Sequence, residues 1–490
     1  MILLRFLLFD IGLGILFALP FHFSFLTPLL VIVPALFWWM IRRRPPGGRW
    51  VHVLLFGSAY QAIALLWIVH VLKVFGGMGP FAGIPALLAL SGYLALFLTA
   101  AVMVAEWVSG EKYLETLPLT FFLFELLRGY LFRGFPWNGW AQPLADHAPL
   151  MQSAAWIGAA GLSACILWLS TLPLLGKRKA LAGSLFLTIL LVGGIVRYMT
   201  WNPEGETLAV VAIQPSIDEA ARYHGEHVDA WTPSRELAQP FLYGGSDLIV
   251  FPESVVLEPF YTRGDVVAAC KRWAEEGVDI FMNGNLVARN GDWTNAAILF
   301  SRGKEVAEYS KINLVPFGEY LPLRSLFERL GFTTIARSLS DFTRGNQVGV
   351  LSGRTVYGIS ICYEIVFSSM VRQQVSRGAT LLVTLTNDGW YGNLGADRQH
   401  VQQALFRTVE YDRPLVRAAL TGISCLANGR GDVLASLDTG ERGGIMESLP
   451  TGTRFTIYYW IGPFLPWVVL FILVVLMIRR KLNVRSQHNS

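Results

Sequence analysis

Between Met1 and about Thr200 the chain is built almost entirely of apolar runs, read at 4–19, 23–41, 51–73, 81–108, 114–132, 151–175 and 181–200. Most have the roughly 18–25 residues that an α-helix needs to cross about 30 Å of hydrocarbon. A further run, WIGPFLPWVVLFILVVLMI (460–478), stands near the far end and is followed by RRKLNVR. The bulk composition points the same way. The 490 residues are 53% hydrophobic and only 15% charged, against roughly 25% charged in an ordinary soluble domain. The expected architecture is a multi-span α-helical membrane domain of about eight helices. Met1 to Pro20 is read as a retained helix, because no A-x-A-like cleavage site follows it and another span comes at once.

Basic clusters set the orientation. Arg42, Arg43, Arg44 and Arg49 lie between the second and third runs; Lys177, Arg178 and Lys179 between the sixth and seventh; Arg479, Arg480, Lys481 and Arg485 after the last. With eight spans all three clusters fall on one side, which the positive-inside rule makes the cytoplasm. One span fewer would split them. The net charge of +5 is accounted for by such loops, and no basic patch interleaved with aromatics suggests nucleic acid.

From about Leu208 to Phe455 the pattern changes. LAVVAIQ (208–214), DLIVFP (247–252), VDIFMNG (278–284), VYGISIC (356–362) and TLLVTLTN (380–387) read as strands. GDVVAACKRWAEEG (264–277) and VQQALFRTVEYDR (401–413) read as helices. Such alternation predicts an α/β layer fold. The domains are therefore 1–200 with about seven helices, 207–456 on the outer face, 460–478 as a last helix, and 479–490 as a cytoplasmic tail.

In the outer domain three polar residues close apolar runs: Glu253 in FPES, Lys311 after EVAEYS, and Cys362 after VYGISI. Strand ends are where α/β folds present functional side chains. The three types suit acyl transfer. A thiolate attacks a carbonyl, a carboxylate moves the proton, and an ammonium stabilises the oxyanion. A helix starting near Ile365 would put the thiol at a helix N-terminus, which lowers a thiol pKa. Each residue also has an ordinary reading: core cysteine, turn glutamate, solvated lysine. Cys165, Cys270 and Cys425 read as core, with a Cys270–Cys425 disulfide left open, and the absence of CxxC argues against zinc or a redox pair.

FPES, LVPFGEYLPL (314–323), ICYE (361–364) and TNDGWYG (386–392) together resemble the nitrilase superfamily. ALPFHF (18–23) and ELLRGYLFRGFPWN (125–138) extend the resemblance to its membrane branch, the apolipoprotein N-acyltransferases. The resemblance implies an αββα sandwich for the α/β domain. It implies Cys362 as nucleophile, Glu253 as general base and Lys311 as oxyanion stabiliser. Glu319 would support the lysine, while Tyr363 and Glu364 would shape the pocket. Tyr223 stands where relatives carry Trp, keeping an aromatic wall and losing the indole N–H.

The implied reaction takes an acyl chain from a phospholipid, preferably phosphatidylethanolamine, onto Cys362. It then passes that chain to the amine of diacylglyceryl-cysteine in an apolipoprotein, at the inner membrane and without cofactor or metal. The stretch 316–345, with Leu326 and Phe327, reads either as an ordinary surface helix with one buried stripe or as a lipid-dipping arm. Glu125 and Arg128 are spaced to pair with each other. The aromatic loop 133–149 is expected either under the active site or in an interfacial belt. His22, His70 and His147 read as structural. Two rival readings keep the same α/β domain: a membrane-tethered amidase with water as acceptor, and a non-catalytic scaffold. A transporter would need more polar residues in its spans than this chain has.

Overall fold

The computed structural model describes residues 2–76, 79–226, 228–288, 291–302, 304–316, 318–321, 324–329 and 342–488. The chain divides into two compact units. One comprises Met1–Trp201, Tyr391–Glu410 and Phe455–Ser490; the other comprises Asn202–Trp390 and Tyr411–Arg454.

The first unit is helical. Three stretches among the described residues, Gly83–Leu127, Ala154–Leu174 and Lys177–Thr200, are long and apolar enough to cross a membrane. Pro46–Ala64 and Trp67–Val74 make a fourth if the pair, bent by 57°, counts as one span. Leu65 leaves helical geometry at the bend, with φ −108° and ψ 19°. Phe6–Phe21 and Leu29–Ile41 are apolar but shorter. The second sequence-based run, 23–41, was longer because it absorbed the 3-10 turn Ser24–Leu26. The last helix, Leu465–His488, carries Arg479, Arg480 and Lys481 within it, which limits its apolar length. By length and composition alone, then, eight spans are not reached among the described residues.

The 45 residues of Gly83–Leu127 fold back on themselves. Thr120 donates to the Ala101 carbonyl (2.8 Å) and Thr116 to that of Ala105 (3.5 Å). The two position sums are equal, as an antiparallel helical hairpin requires. Gly110, with φ +60°, makes the turn, a conformation that costs glycine little.

The second unit holds two six-stranded sheets. The first is ordered β12-β1-β2-β3-β4-β5, with β1 Thr207–Gln214, β2 Leu248–Val250, β3 Asp279–Val287, β4 Trp293–Ser301, β5 Lys304–Ser310 and β12 Gly443–Pro450. The second is ordered β11-β10-β9-β8-β7-β6, with β6 Val350–Ser352, β7 Val356–Ile361, β8 Leu381–Thr386, β9 Leu415–Ala419, β10 Ser424–Ala427 and β11 Val433–Leu437. The centre of each is parallel: β1-β2-β3 in one and β7-β8-β9 in the other. Their strands are mostly apolar and mostly buried, as parallel strands covered on both faces must be. Helices Trp231–Leu242 and Gly264–Glu275 pack on the first sheet, with Trp231, Phe251 and Trp273 in mutual ring contact at 5.8–6.1 Å. Gln214 ties the sheets together by accepting from the Ser424 hydroxyl (2.6 Å) and amide (3.0 Å). This is the nitrilase-like α/β arrangement expected from the sequence. Cys270 and Cys425 are both free buried thiols, which closes the question of a disulfide.

Candidate active site

Four strand ends carry the chemistry-bearing side chains. β2 and β5 belong to one sheet, β7 and β8 to the other. β5 runs antiparallel to β4, and β4 to β3, so β5 ends on the same side as β2. Glu253 follows β2, Lys311 follows β5, Cys362 follows β7, and Asn387 and Asp388 follow β8.

Lys311 is 1% exposed, so its ammonium needs partners. It finds Glu319 Oε1 at 2.9 Å and Glu253 Oε1 at 3.4 Å. Burial alone would lower the lysine, but the two carboxylates outweigh it and hold it above its ordinary range. Burial pushes Glu253 up, against the pull of Lys311. The result is a carboxylate more basic than an exposed one. Asn295 Nδ2 bridges the two glutamates, donating to Glu253 (2.8 Å) and Glu319 (3.0 Å). The Asn387 amide donates to Glu253 Oε2 (3.1 Å) and the Val315 amide to Glu319 Oε2 (2.8 Å).

Cys362 sits where β7 turns into the 3-10 segment Cys362–Val366. Its φ of +51° is left-handed, a strain typical of functional sites in a residue other than glycine. The α-helix starts at Ser368 rather than near Ile365, so the thiol does not cap it. Nor is the thiol acidified: burial first, then Glu253, push it up to about 12, with Lys311 opposing. It is therefore a neutral thiol at rest, within electrostatic reach of the Glu253 carboxylate and the Lys311 ammonium. The expected low thiol pKa is corrected accordingly.

Glu364 is fully buried and its oxygens are committed. Oε1 accepts from the amides of Ile312 (2.7 Å) and Asn313 (3.0 Å) and from the Tyr309 hydroxyl (2.7 Å); Oε2 accepts from the Ile361 amide (2.9 Å). It locks the backbone beside Lys311 to the backbone beside Cys362. Tyr363 is buried edge-on against Phe367 at 5.2 Å. Tyr223 is half-exposed, with its ring edge-on to Trp390 at 6.2 Å. Much of the stretch 316–345 lies outside the described residues.

Sequence reading missed several participants. Asn283 and Asn295 stand in β3 and β4, where asparagine is disfavoured, and Asn283 Nδ2 donates to Asn295 Oδ1 (2.7 Å). Two asparagines inside apolar strands were the available signal. Asp388 and Arg417 form a fully buried pair at 2.6 Å, foreshadowed only by a charge within the apolar strand LVRAA. In the first unit, Glu125 and Arg128 pair as the spacing predicted, at 2.7 Å. Trp137 and Trp140 of the loop 133–149 are buried.

The family described as "Apolipoprotein N-acyltransferase N-terminal domain" matches residues 13–172, and "Carbon-nitrogen hydrolase" matches 207–454. The apolipoprotein N-acyltransferase of Rhizobium etli is 33% identical over 444 residues, covering 83% of this chain and 82% of that one. The chain belongs to the apolipoprotein N-acyltransferase family. The Agrobacterium fabrum member is 28% identical over 509 residues, covering 96% and 94% of the two chains. Among solved structures, Saccharomyces cerevisiae Nit3 covers 51% of this chain and 91% of its own at 14% identity, with a TM-score of 0.38. An amidase from Nesterenkonia sp. AN1 covers 50% and 93% at 19% identity, with a TM-score of 0.37. As a member of this family, the chain is an acyltransferase of lipoprotein biosynthesis, N-acylating lipoproteins.

Proposed function

We propose that the acyl donor is a membrane phospholipid, phosphatidylethanolamine above all, and that the acyl chain passes through a Cys362 thioester to the amine of diacylglyceryl-cysteine. Glu253 takes the thiol proton as Sγ attacks the ester carbonyl. Lys311 stabilises the oxyanion, with Glu319 holding the ammonium in place. Collapse expels the lysophospholipid oxygen, which takes the proton from Glu253. The acceptor amine then attacks the thioester, loses a proton to Glu253, and the thiolate leaves to be reprotonated. Glu364 and Tyr363 hold the loops around the nucleophile, and Tyr223 walls the substrate. The observation that carries this reading is a buried Glu253–Lys311–Glu319 cluster beside a strained, buried, neutral thiol.

The membrane arrangement proposed with it has eight spans, about seven of them in 1–200 and the last at 460–478. The 207–456 domain lies on the periplasmic face of the inner membrane and the 479–490 tail in the cytoplasm. The single-sided basic clusters support it. The test is reconstitution in vesicles with phosphatidylethanolamine and a diacylglyceryl-cysteine peptide. Triacylated peptide and lysophospholipid in equal amounts, absent with Cys362→Ala, support the reading. Free fatty acid with unmodified peptide would assign a hydrolase instead.

A further inference from the structure

One buried ion pair in the second unit has no part in that mechanism. Glu219 and Arg222 lie one turn apart in the short helix Glu219–Tyr223, at 3.3 Å, with side chains 6% and 5% exposed. Arg222 Nη2 donates to the Ser254 carbonyl at 2.9 Å. Ser254 directly follows Glu253 and has φ +67°. That left-handed turn needs external support in a residue other than glycine. It receives it from both sides, because Asn283 Oδ1 accepts from the Ser254 amide at 2.9 Å.

Glu219 reaches the other turn that holds Glu253. A Cβ built on Gly389 would stand 2.8 Å from Glu219 Cβ, so the 387–389 turn packs directly against this side chain. Glycine is needed there for that close approach. The same turn supplies the Asn387 amide that grips Glu253 Oε2 at 3.1 Å. Burial, and then the charge of Glu253, raise Glu219, a sign that the two carboxylates feel one another.

We propose that the Glu219–Arg222 pair is a positioning device for Glu253, clamping the turn after the base and bracing the turn that donates to it. Neither residue touches substrate; both act through the placement of one carboxylate. The inference rests on Glu253 being the base.

The test measures the single-turnover rate of Cys362 thioester formation from phosphatidylethanolamine, with thermal unfolding recorded alongside. Arg222→Met strands a buried carboxylate, so the Glu219→Gln/Arg222→Met double variant, neutral and similar in shape, is measured too. Both should slow thioester formation by about ten- to a hundredfold, the scale of an ångström-sized misplacement. Arg222→Lys, which keeps the charge and one donor, should recover part of the loss. In a Glu253→Asp background, where the carboxylate is already displaced, the double variant should add little further loss. Full-rate thioester formation in the double variant, or losses that multiply independently of Glu253→Asp, would overturn the inference while leaving the thioester mechanism standing. A wild type that forms no thioester would instead remove the reading on which it rests.

Discussion

Lys311 carries a positive charge at 1% exposure. Such a charge is tolerated only because two carboxylates and their supporting amides surround it. Lys311→Met would leave Glu253 and Glu319 facing each other unneutralised. The expected outcome is loss of thioester formation by at least about a hundredfold, together with destabilisation of about 3–5 kcal/mol, read from single turnover and denaturant unfolding. The raised Glu253 sets the pH dependence. As the proposed base, Glu253 must be ionised to accept the thiol proton, so activity should fall as pH drops through its pKa. That pKa lies above the ordinary value for a glutamate, about 4.3. The acid limb of kcat/KM should therefore lie clearly above pH 4.3. A flat profile down to that pH would contradict the assignment of Glu253 as base.

At the scale of elements, the site depends on strands ending where they do. Glu364 joins the loop after β5 to the end of β7 with four hydrogen bonds. Glu364→Ala would strand three amides and a hydroxyl, at about 1–3 kcal/mol for each group that water cannot reach. The prediction is a large fall in unfolding temperature with loss of activity, whereas Tyr309→Phe, which removes one of the four donors, should cost far less. Much of this was legible in the sequence. Five of the six parallel strands announced themselves as short apolar runs, with Glu253 and Cys362 just past two of them and Lys311 past the strand-like EVAEYS. What was not legible had physical causes. β9 to β12 are short or irregularly patterned, so period-2 alternation is weak. The turn after Cys362 is 3-10 before it is α, a difference of one hydrogen-bond register that apolar spacing cannot report. Arg417 and Asp388 meet only through the sheet, and no local signal announces a pair made by tertiary contact.

At the scale of the whole molecule, the partition of the chain is the least expected feature. Residues 391–410 lie inside the sequence of the α/β domain yet belong to the helical unit. There Gln142 accepts from Gln403 Nε2 (2.6 Å) and donates to the Gln399 carbonyl (3.1 Å), while Trp137 donates to Gln399 Oε1 (2.8 Å). A glutamine network of this kind is stable when every member is satisfied and costly when one is removed. Gln399→Leu should open the 391–410 segment to limited proteolysis before global unfolding begins. Unchanged protection would show that the network is dispensable. Sequence reading assigned this helix to the α/β domain because nothing in a continuous chain marks which neighbour a helix packs against.

The central claim is that Cys362 carries the acyl chain. The direct measurement is intact-protein mass spectrometry after incubation with phosphatidylethanolamine and no acceptor, on the wild type and on Cys362→Ala. The account predicts a gain of one acyl chain on the wild type, removed by hydroxylamine and absent from the variant. An adduct that persists in Cys362→Ala, or acyl transfer to a lipopeptide by a protein that never carries one, would contradict it.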